Sequence, residues 1–160
     1  MIRQHQIFIS SQVNRNTLCQ ERQAIREIIE DQFPHYSAWD WEHNGCAGEK
    51  TPMGQCLDEV RRSRALILIV SQTLTHNTRV EYEIATQMGI ARYIFFRQGR
   101  QRGPAYEFRQ SLSIPGSPSW LTYQNLEELR SAVLRTLTSR CYEADLTYQS
   151  AIGTRVEVAV

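Results

Sequence analysis

The sequence has no apolar run that approaches the roughly 20 residues needed to cross a bilayer, so we expect no membrane-spanning helix. It also has no C-x-x-C pair, and no secretory leader precedes its cysteines. The four cysteines are Cys19, Cys46, Cys56 and Cys141. We therefore expect a soluble, cytoplasmic protein whose thiols are reduced.

Clusters of one charge sign are missing as well. The 18 Lys and Arg residues are spread among 17 Asp and Glu residues, and the net charge is +1. A nucleic-acid-binding surface needs a concentrated basic patch, so we expect no nucleic-acid partner. The histidines His5, His35, His43 and His76 have no zinc-ligand spacing with one another or with the cysteines. We expect no metal and no prosthetic group, and no local signature supports a Cys–His nucleophile pair.

Strands that alternate with helices along the chain predict the fold class. The predicted strands are Ile7–Ile9, Tyr36–Glu42, Ala65–Val70, Arg92–Phe96 and Trp120–Tyr123. The third strand has no polar alternation, which is typical of a central parallel strand with helices on both faces. We predict an α/β fold of the flavodoxin-like type, a doubly wound parallel five-stranded sheet, in one domain over residues 1–140.

Short local signals predict where the helices begin. Thr17-x-x-Gln20 and Asn125-x-x-Glu128 are capping signatures for the first and last helices, and Thr51-Pro52 opens the second. Within the second strand, the period of two places Trp39 and Trp41 on one face. Residues 97–119 are too many for a simple connection, and we expect an irregular helix or a mobile lid there.

Residues 141–160 are predicted to form a separate C-terminal tail. Gly153 interrupts it, and Arg155–Val160 alternates apolar with polar or small residues. Two interpretations fit this pattern: an edge strand that pairs with another subunit or partner, and a frayed terminus.

The segment Arg79–Ala85 carries two glutamates directly after the most apolar strand. Ligands of open α/β sheets bind outside the carboxyl ends of the strands, so a glutamate on the following helix can face a ligand. The apolar residues of this helix recur at helical spacing: Val80, Ile84 and Met88. Glu81 borders that stripe and Glu83 turns toward solvent. We predict that Glu81 is catalytic, although both glutamates also suit the dipole of a helix N-terminus.

Four short motifs stand in a characteristic order. They are Phe8-Ile9-Ser10-Ser11, Glu21-Arg22-Gln23-Ala24, Cys56-Leu57-x-x-Val60 and Glu81-Tyr82-Glu83-Ile84-Ala85. Over about residues 5–139 the chain resembles the bacterial TIR-like domains that are often classed as a domain of unknown function at the N-terminus of larger signalling proteins.

The wider TIR group, and the nucleoside deoxyribosyltransferases of similar fold, carry a glutamate four residues before an alanine, as Glu81 and Ala85 stand here. The resemblance implies cleavage of an N-glycosidic bond. In TIR enzymes this is the nicotinamide–ribose bond of NAD, which gives ADP-ribose or a cyclic product, and it implies a role in antiphage defence. Many TIR enzymes have tryptophan where this chain has Asn77. We therefore predict that Trp41 stacks on the substrate, unless it is a core aromatic.

Glycosidic cleavage passes through an oxocarbenium-like transition state, which one carboxylate can stabilise. We expect that Glu81 can fill that role alone. Ser10 and Ser11 are candidates to bind ribose or phosphate, with a turn and capping role as the alternative. Arg15 is a candidate to pair with the pyrophosphate, or else it is a solvated surface residue. Ser71 is a further candidate at the substrate site, where we expect it to shape the turn before the glutamate helix.

The leading hypothesis is an NAD-consuming TIR-like hydrolase that acts as a homo-oligomer or with an effector or sensor protein. The first alternative is a deoxyribosyltransferase-like enzyme that acts on nucleosides or nucleotides. The second is an inactive TIR-like interaction module. Release of nicotinamide or of another base in solution separates the enzymes from the module.

Overall fold

The computed structural model describes residues 5–13 and 17–141. Five strands lie in this part of the chain: β1 (His5–Ser10), β2 (Tyr36–Trp39), β3 (Ala65–Val70), β4 (Ala91–Arg97) and β5 (Trp120–Tyr123). Five helices have bounds within it: α1 (Cys19–Gln32), α2 (Trp41–Asn44), α3 (Pro52–Arg62), α4 (His76–Gln87) and α5 (Pro104–Ser111). The last described helix, α6, covers residues 126–141.

The strands form one sheet in the order β2-β1-β3-β4-β5, and every neighbouring pair is parallel. The predicted flavodoxin-like, doubly wound fold is therefore confirmed. The order reverses between β1 and β3, because β2 lies on one side of β1 and all later strands lie on the other. In doubly wound sheets the ligand crevice lies outside the carboxyl ends of the strands at such a reversal.

Two apolar layers cover the two faces of the sheet. Alternate residues of β1 divide between them: Ile7 and Ile9 pack with α1 and α6, whereas Phe8 packs with α3, α4 and α5. All six residues of β3 are buried. The prediction of a central strand covered on both faces is correct, and the uninterrupted apolar run of β3 is the cause.

Two of the three predicted helix starts are confirmed. The Thr51 side chain accepts a hydrogen bond from the Gly54 amide (3.0 Å) at the start of α3. The Asn125 side chain accepts one from the Glu128 amide (2.9 Å) before α6. These bonds satisfy amide groups that have no partner within the helix.

The predicted Thr17 cap is wrong. Helix α1 begins at Cys19, and the residue before it, Leu18, has φ 61° and makes no side-chain cap bond. Leu18 is buried, and the Thr17 carbonyl accepts a hydrogen bond from Arg22 (2.9 Å). Burial of an apolar side chain and this bond from a guanidinium therefore fix the start of the helix instead of a side-chain cap.

Strand β2 ends at Trp39, before the predicted end at Glu42. Asp40 has no solvent exposure, and its side chain caps α2 by accepting a hydrogen bond from the His43 amide (2.9 Å). Trp41 is the first residue of that short helix. The prediction that Trp39 and Trp41 share a strand face is therefore wrong, because the buried carboxylate of Asp40 ends the strand between them.

The prediction that Val80, Ile84 and Met88 form the buried stripe of α4 is also wrong. The buried residues of α4 are Thr78, Glu81, Tyr82 and Ala85, whereas Met88 is 52% exposed. The Tyr82 ring packs edge-on against Phe108 of α5 (centroids 4.9 Å apart). A tyrosine thus occupies the buried stripe that the sequence pattern assigned to aliphatic residues, and Glu81 lies on the buried face.

The long stretch between β4 and β5 contains α5, an ordinary helix. No helix of the described residues is long and apolar enough to span a membrane. All four cysteines lie in the described part, and none forms a disulfide. Apart from Cys141, the predicted tail and its edge strand lie outside the described residues, so the domain boundary near residue 140 stays a prediction.

Candidate active site

Glu81 is held at the carboxyl end of β1 by side chains from two other elements. Ser10, the last residue of β1, donates a 2.6 Å hydrogen bond from its hydroxyl to Glu81 Oε1. The thiol of Cys56, on α3, also hydrogen bonds to the Glu81 carboxylate. Glu81 is 7% exposed and Ser10 is 1% exposed. A buried carboxylate is costly unless it is hydrogen-bonded, and these two donors meet that requirement.

Burial also sets the protonation states of Glu81 and Cys56. Loss of hydration raises the pKa of Glu81 to about 7, and the hydrogen bonds from Ser10 and Cys56 oppose that rise. Burial, followed by the neighbouring Glu81 charge, raises the pKa of the Cys56 thiol to about 12. Near neutral pH both protonation states of Glu81 are therefore populated, while Cys56 stays a thiol and can only donate.

A cavity of about 270 Å³ opens above the Glu81 carboxylate. Its lining consists of Ser11, Val13, Trp41, Pro52, Met53, Cys56, Thr75, Asn77, Thr78 and Glu81. Apolar side chains come from α2, α3 and the β1–α1 loop, and hydroxyl and amide groups come from the start of α4. Glu81 is the only charged residue in this described lining. The cavity therefore offers an apolar wall, a polar wall and one carboxylate.

Trp41 lies in this lining with one ring face against the backbone. A Cβ atom added at Gly45 would lie 2.5 Å from the Trp41 ring, so the hydrogen of glycine leaves the space that the indole occupies. Asn77 lines the same cavity. Trp41 and Asn77 therefore line one cavity, and the predicted stacking of Trp41 on a substrate stays a prediction.

Trp39 differs from Trp41 in its surroundings. It is 8% exposed and stacks on Phe8, with ring centroids 5.2 Å apart. Trp39 therefore belongs to the core, whereas Trp41 is half-buried, packs against the edge of that core and lines the cavity.

Arg22 organises the wall of the cavity, and the site prediction missed it. Its Nη1 donates to Ser11 Oγ (2.9 Å) and to the carbonyls of Gln12 (2.7 Å) and Thr17 (2.9 Å). Its Nη2 forms an ion pair with Glu42, the neighbour of Trp41 on α2. The guanidinium is 1% exposed. Arg22 thus ties the β1–α1 loop to the helix that carries Trp41.

A signal for Arg22 was present in the sequence. Leu18, Ile25 and Ile29 are apolar residues that recur at helical spacing and are buried, and Arg22 stands four residues after Leu18 on the same stripe. A charged residue on an apolar stripe must find partners when it is buried. This criterion would have marked Arg22 without a structure.

The structure brings three of the predicted substrate residues, Ser10, Ser11 and Trp41, to Glu81 or its cavity. Ser71 lies elsewhere: it lines a separate polar cavity beside Arg97. Arg15 is outside the described residues. The binding roles of these five residues remain predictions. Glu83 is exposed and pairs with Arg79 (3.1 Å), as expected for a residue that faces solvent.

One group of possible metal ligands was not found from the spacing of His and Cys. The ligand atoms of Asp40, Glu42 and His43 lie within 4.8 Å of one another. Each of these side chains has a partner already, because Asp40 bonds to His43 Nδ1 (2.8 Å) and Glu42 pairs with Arg22. Capping of α2 and the anchoring of Arg22 account for this group.

Solved structures share the fold at low sequence identity. A 2-desoxiribosyltransferase from Leishmania mexicana is 16% identical with a TM-score of 0.50, over 60% of this chain and 67% of that one. A CMP N-glycosidase from Clostridium botulinum is 14% identical with a TM-score of 0.55, over 79% and 94% of the two chains. A conserved protein from Enterococcus faecalis is 13% identical with a TM-score of 0.54, over 83% and 99%. At such identities the likeness shows the fold alone.

The fold class is therefore the doubly wound α/β fold that these structures share. The chain itself belongs to the family described as Domain of unknown function (DUF4062), whose sequence model matches residues 6–152. No curated protein matches the sequence. The part of the resemblance that points to a family of unknown function is confirmed, and the relation to TIR domains stays a prediction.

Proposed function

We propose that the protein cleaves the N-glycosidic bond between a base and the sugar of a nucleoside or nucleotide, with Glu81 as the catalytic residue. The observation that carries this proposal is the buried Glu81 carboxylate, which is fixed by Ser10 and Cys56 and is the only charged group in the described lining of a cavity with one apolar and one polar wall. The fold shared with a desoxyribosyltransferase and a CMP N-glycosidase supports it.

The chemistry needs one carboxylate near the anomeric carbon. As the C–N bond breaks, its electron pair leaves with the base, and the sugar becomes oxocarbenium-like. Ionised Glu81 stabilises that positive charge, or attacks the anomeric carbon to form a glycosyl-enzyme intermediate. Water then completes a hydrolysis by giving a hydroxyl to the sugar and a proton to a departing neutral base, and a second base completes a transfer by giving up its own N–H proton. Ser10 and Cys56 hold the carboxylate so that it need not reorganise as charge develops.

The cavity suits the base and sugar of one nucleoside. Its volume of about 270 Å³ lies just below the roughly 300–1,000 Å³ of pockets that enclose drug-sized ligands. Trp41 and Met53 supply an apolar surface for the flat face of a base. Asn77 and Thr78 supply hydrogen-bonding groups for sugar hydroxyls beside Glu81.

NAD is the second candidate substrate, and the pairing of Trp41 with a lone carboxylate favours it. The nicotinamide ring of NAD is already cationic, so it stacks well on an indole and leaves without protonation. The products would be nicotinamide and ADP-ribose or a cyclic ADP-ribose. A role in antiphage defence, and activation through a homo-oligomer or through an effector or sensor protein, rest on the TIR resemblance alone.

The test is an incubation of the full chain with a panel of nucleosides, their 5′-monophosphates and NAD. Free base and nicotinamide are measured by chromatography and mass spectrometry, with and without a crowding agent that promotes assembly. Release of a base from cytidine, CMP or another member of the panel supports the proposal, and release of nicotinamide alone selects NAD. No release under either condition contradicts an enzymatic role and favours an inactive interaction module.

A further inference from the structure

A second cavity, of about 510 Å³, lies along the loop that follows β1. Ser11 and Val13 line the Glu81 cavity, whereas Gln12, between them in the sequence, lines the second one. Residues 11–13 therefore form a wall shared by two cavities. Thr73, after β3, donates a hydrogen bond to the Gln12 side chain (2.8 Å) and fixes that wall.

The strand periodicity explains which side chains face the second cavity. Ile69 of β3 and Phe95 of β4 are paired in register and both belong to the layer with α1 and α6. Ser71 and Arg97 each follow two residues later, so they stand side by side at the carboxyl ends of these strands. Both line the second cavity. Ser10 leaves the sheet on the opposite face, toward Glu81.

The lining of the second cavity differs in chemistry from that of the first. It consists of three glutamines, two threonines, Ser71 and Arg97, so every residue can donate a hydrogen bond and none carries a carboxylate. Arg97 is exposed and has no ion pair among the described residues. The phenol of Tyr123, which is paired in register with Arg97, donates a hydrogen bond to one oxygen of Glu21 (3.1 Å).

We propose that this second cavity is an anion subsite, which takes the phosphate of a nucleotide whose base and sugar occupy the Glu81 cavity. Several donors around one guanidinium suit a phosphate, since its oxygens accept charge-assisted hydrogen bonds. Both cavities lie beside the carboxyl ends of β1 and β3, where the strand order reverses and doubly wound folds bind ligands. This inference rests on the proposed function and narrows its substrate class from nucleosides to nucleotides.

The first test compares CMP with cytidine in Arg97→Gln and Arg100→Gln variants. Arg100 is an exposed residue of the next loop that lines a different surface hollow, so its substitution removes the same charge outside the subsite. Arg97→Gln is expected to raise KM for CMP about tenfold, as the loss of one charge-assisted hydrogen bond would, and to leave cytidine unchanged. Arg100→Gln should leave KM unchanged for both substrates. If Arg97→Gln raises KM equally for CMP and cytidine, the proposal is overturned.

The second test does not depend on turnover. Inorganic phosphate is titrated into the labelled protein, and the backbone amide shifts of residues 71–73 are followed by NMR. Saturable shifts in the parent chain and in Arg100→Gln are expected, with about tenfold weaker binding in Arg97→Gln. Absence of saturable shifts, or equal binding by both variants, overturns the subsite. Phosphate binding without base release from any substrate would refute the proposed function and leave the subsite standing.

Discussion

Ser10 and Glu81 are 71 positions apart in the sequence and share a 2.6 Å hydrogen bond. The bond joins the carboxyl end of β1 to the buried face of α4 and fixes one oxygen of the only carboxylate in the cavity lining. A carboxylate held this way is preorganised toward any positive charge that develops in the cavity. The pH dependence and the variants below follow from that geometry.

The rate of base release should depend on the ionisation of Glu81. Because burial raises the pKa of Glu81 to about 7, kcat/KM should rise with pH through about 7 and then level off. The hydrogen bond from Cys56 lowers that pKa, so Cys56→Val, which keeps the site filled but removes the donor, should move the rise to higher pH. Cys56→Ser keeps a hydrogen-bond donor, so it should move the rise in kcat/KM by a smaller pH interval. A profile that stays flat from about pH 5 to about pH 8, where a group of this pKa changes its charge, would refute this role.

The same pKa predicts how stability changes with pH. On folding, the pKa of Glu81 rises from its ordinary value of 4.5 to about 7, so the folded state binds the Glu81 proton more tightly than the unfolded state does. The stabilisation from that proton is complete below pH 4.5 and is lost as the pH rises to about 7. Relative to Glu81→Gln, the parent chain should therefore lose on the order of 3 kcal/mol across this interval. Urea unfolding at both ends of the interval measures the difference, and a pH-independent difference would contradict the prediction.

Arg22→Met should weaken both the fold and the site. The substitution leaves Glu42 and three loop acceptors without their donor, which we expect to cost about 3 kcal/mol, the low end for a broken buried pair because Glu42 keeps some hydration. KM should rise because Ser11 and Trp41 lose their shared anchor. Arg62→Met, at an arginine that is 74% exposed, is the matched control and should change stability by less than about 0.5 kcal/mol. Unchanged KM in a folded Arg22→Met protein would remove its role at the site.

The two neighbouring tryptophans should respond differently to truncation. Trp39→Ala removes a core aromatic and should cost about 3–5 kcal/mol of stability. Trp41→Ala should raise KM with a smaller loss of stability, because Trp41 lines the cavity. Gly45→Ala should mimic the KM effect, since the added methyl group displaces the indole. If Trp41→Ala unfolds the protein as Trp39→Ala does, Trp41 belongs to the core.

The fold could be predicted from the sequence because its strongest signals are local. The apolar run of β3 and the capping residues Thr51 and Asn125 act within their own elements, so no distant contact was needed to interpret them. Glu81 was found by its place after the central strand. Ser10 was expected to bind ribose or phosphate, and Cys56 was seen only as part of a motif. Their contacts with Glu81 were not predicted, because packing between elements brings these side chains together.

The errors arise where a buried polar or aromatic group overrides a hydrophobic pattern. Asp40 ends β2 before Trp41 can join it, and Tyr82 takes the buried stripe of α4. Ser71 and Ser10 both stand where a strand ends, yet the two leave the sheet on opposite faces, and the binding role of Ser71 stays a prediction. The strand register decides the face, and it cannot be derived from either strand alone.

Base release by the Glu81→Gln and Glu83→Gln variants decides whether Glu81 is the catalytic carboxylate. Both variants remove one carboxylate of α4 and keep its shape, but Glu81 is buried at the cavity and Glu83 is 53% exposed. Each variant is incubated with the best substrate of the panel. Its melting temperature is compared with that of the parent chain to show that it is folded. We expect Glu81→Gln to slow base release by at least about a hundredfold and Glu83→Gln to release base near the parent rate. Near-normal release by a folded Glu81→Gln protein would contradict this expectation.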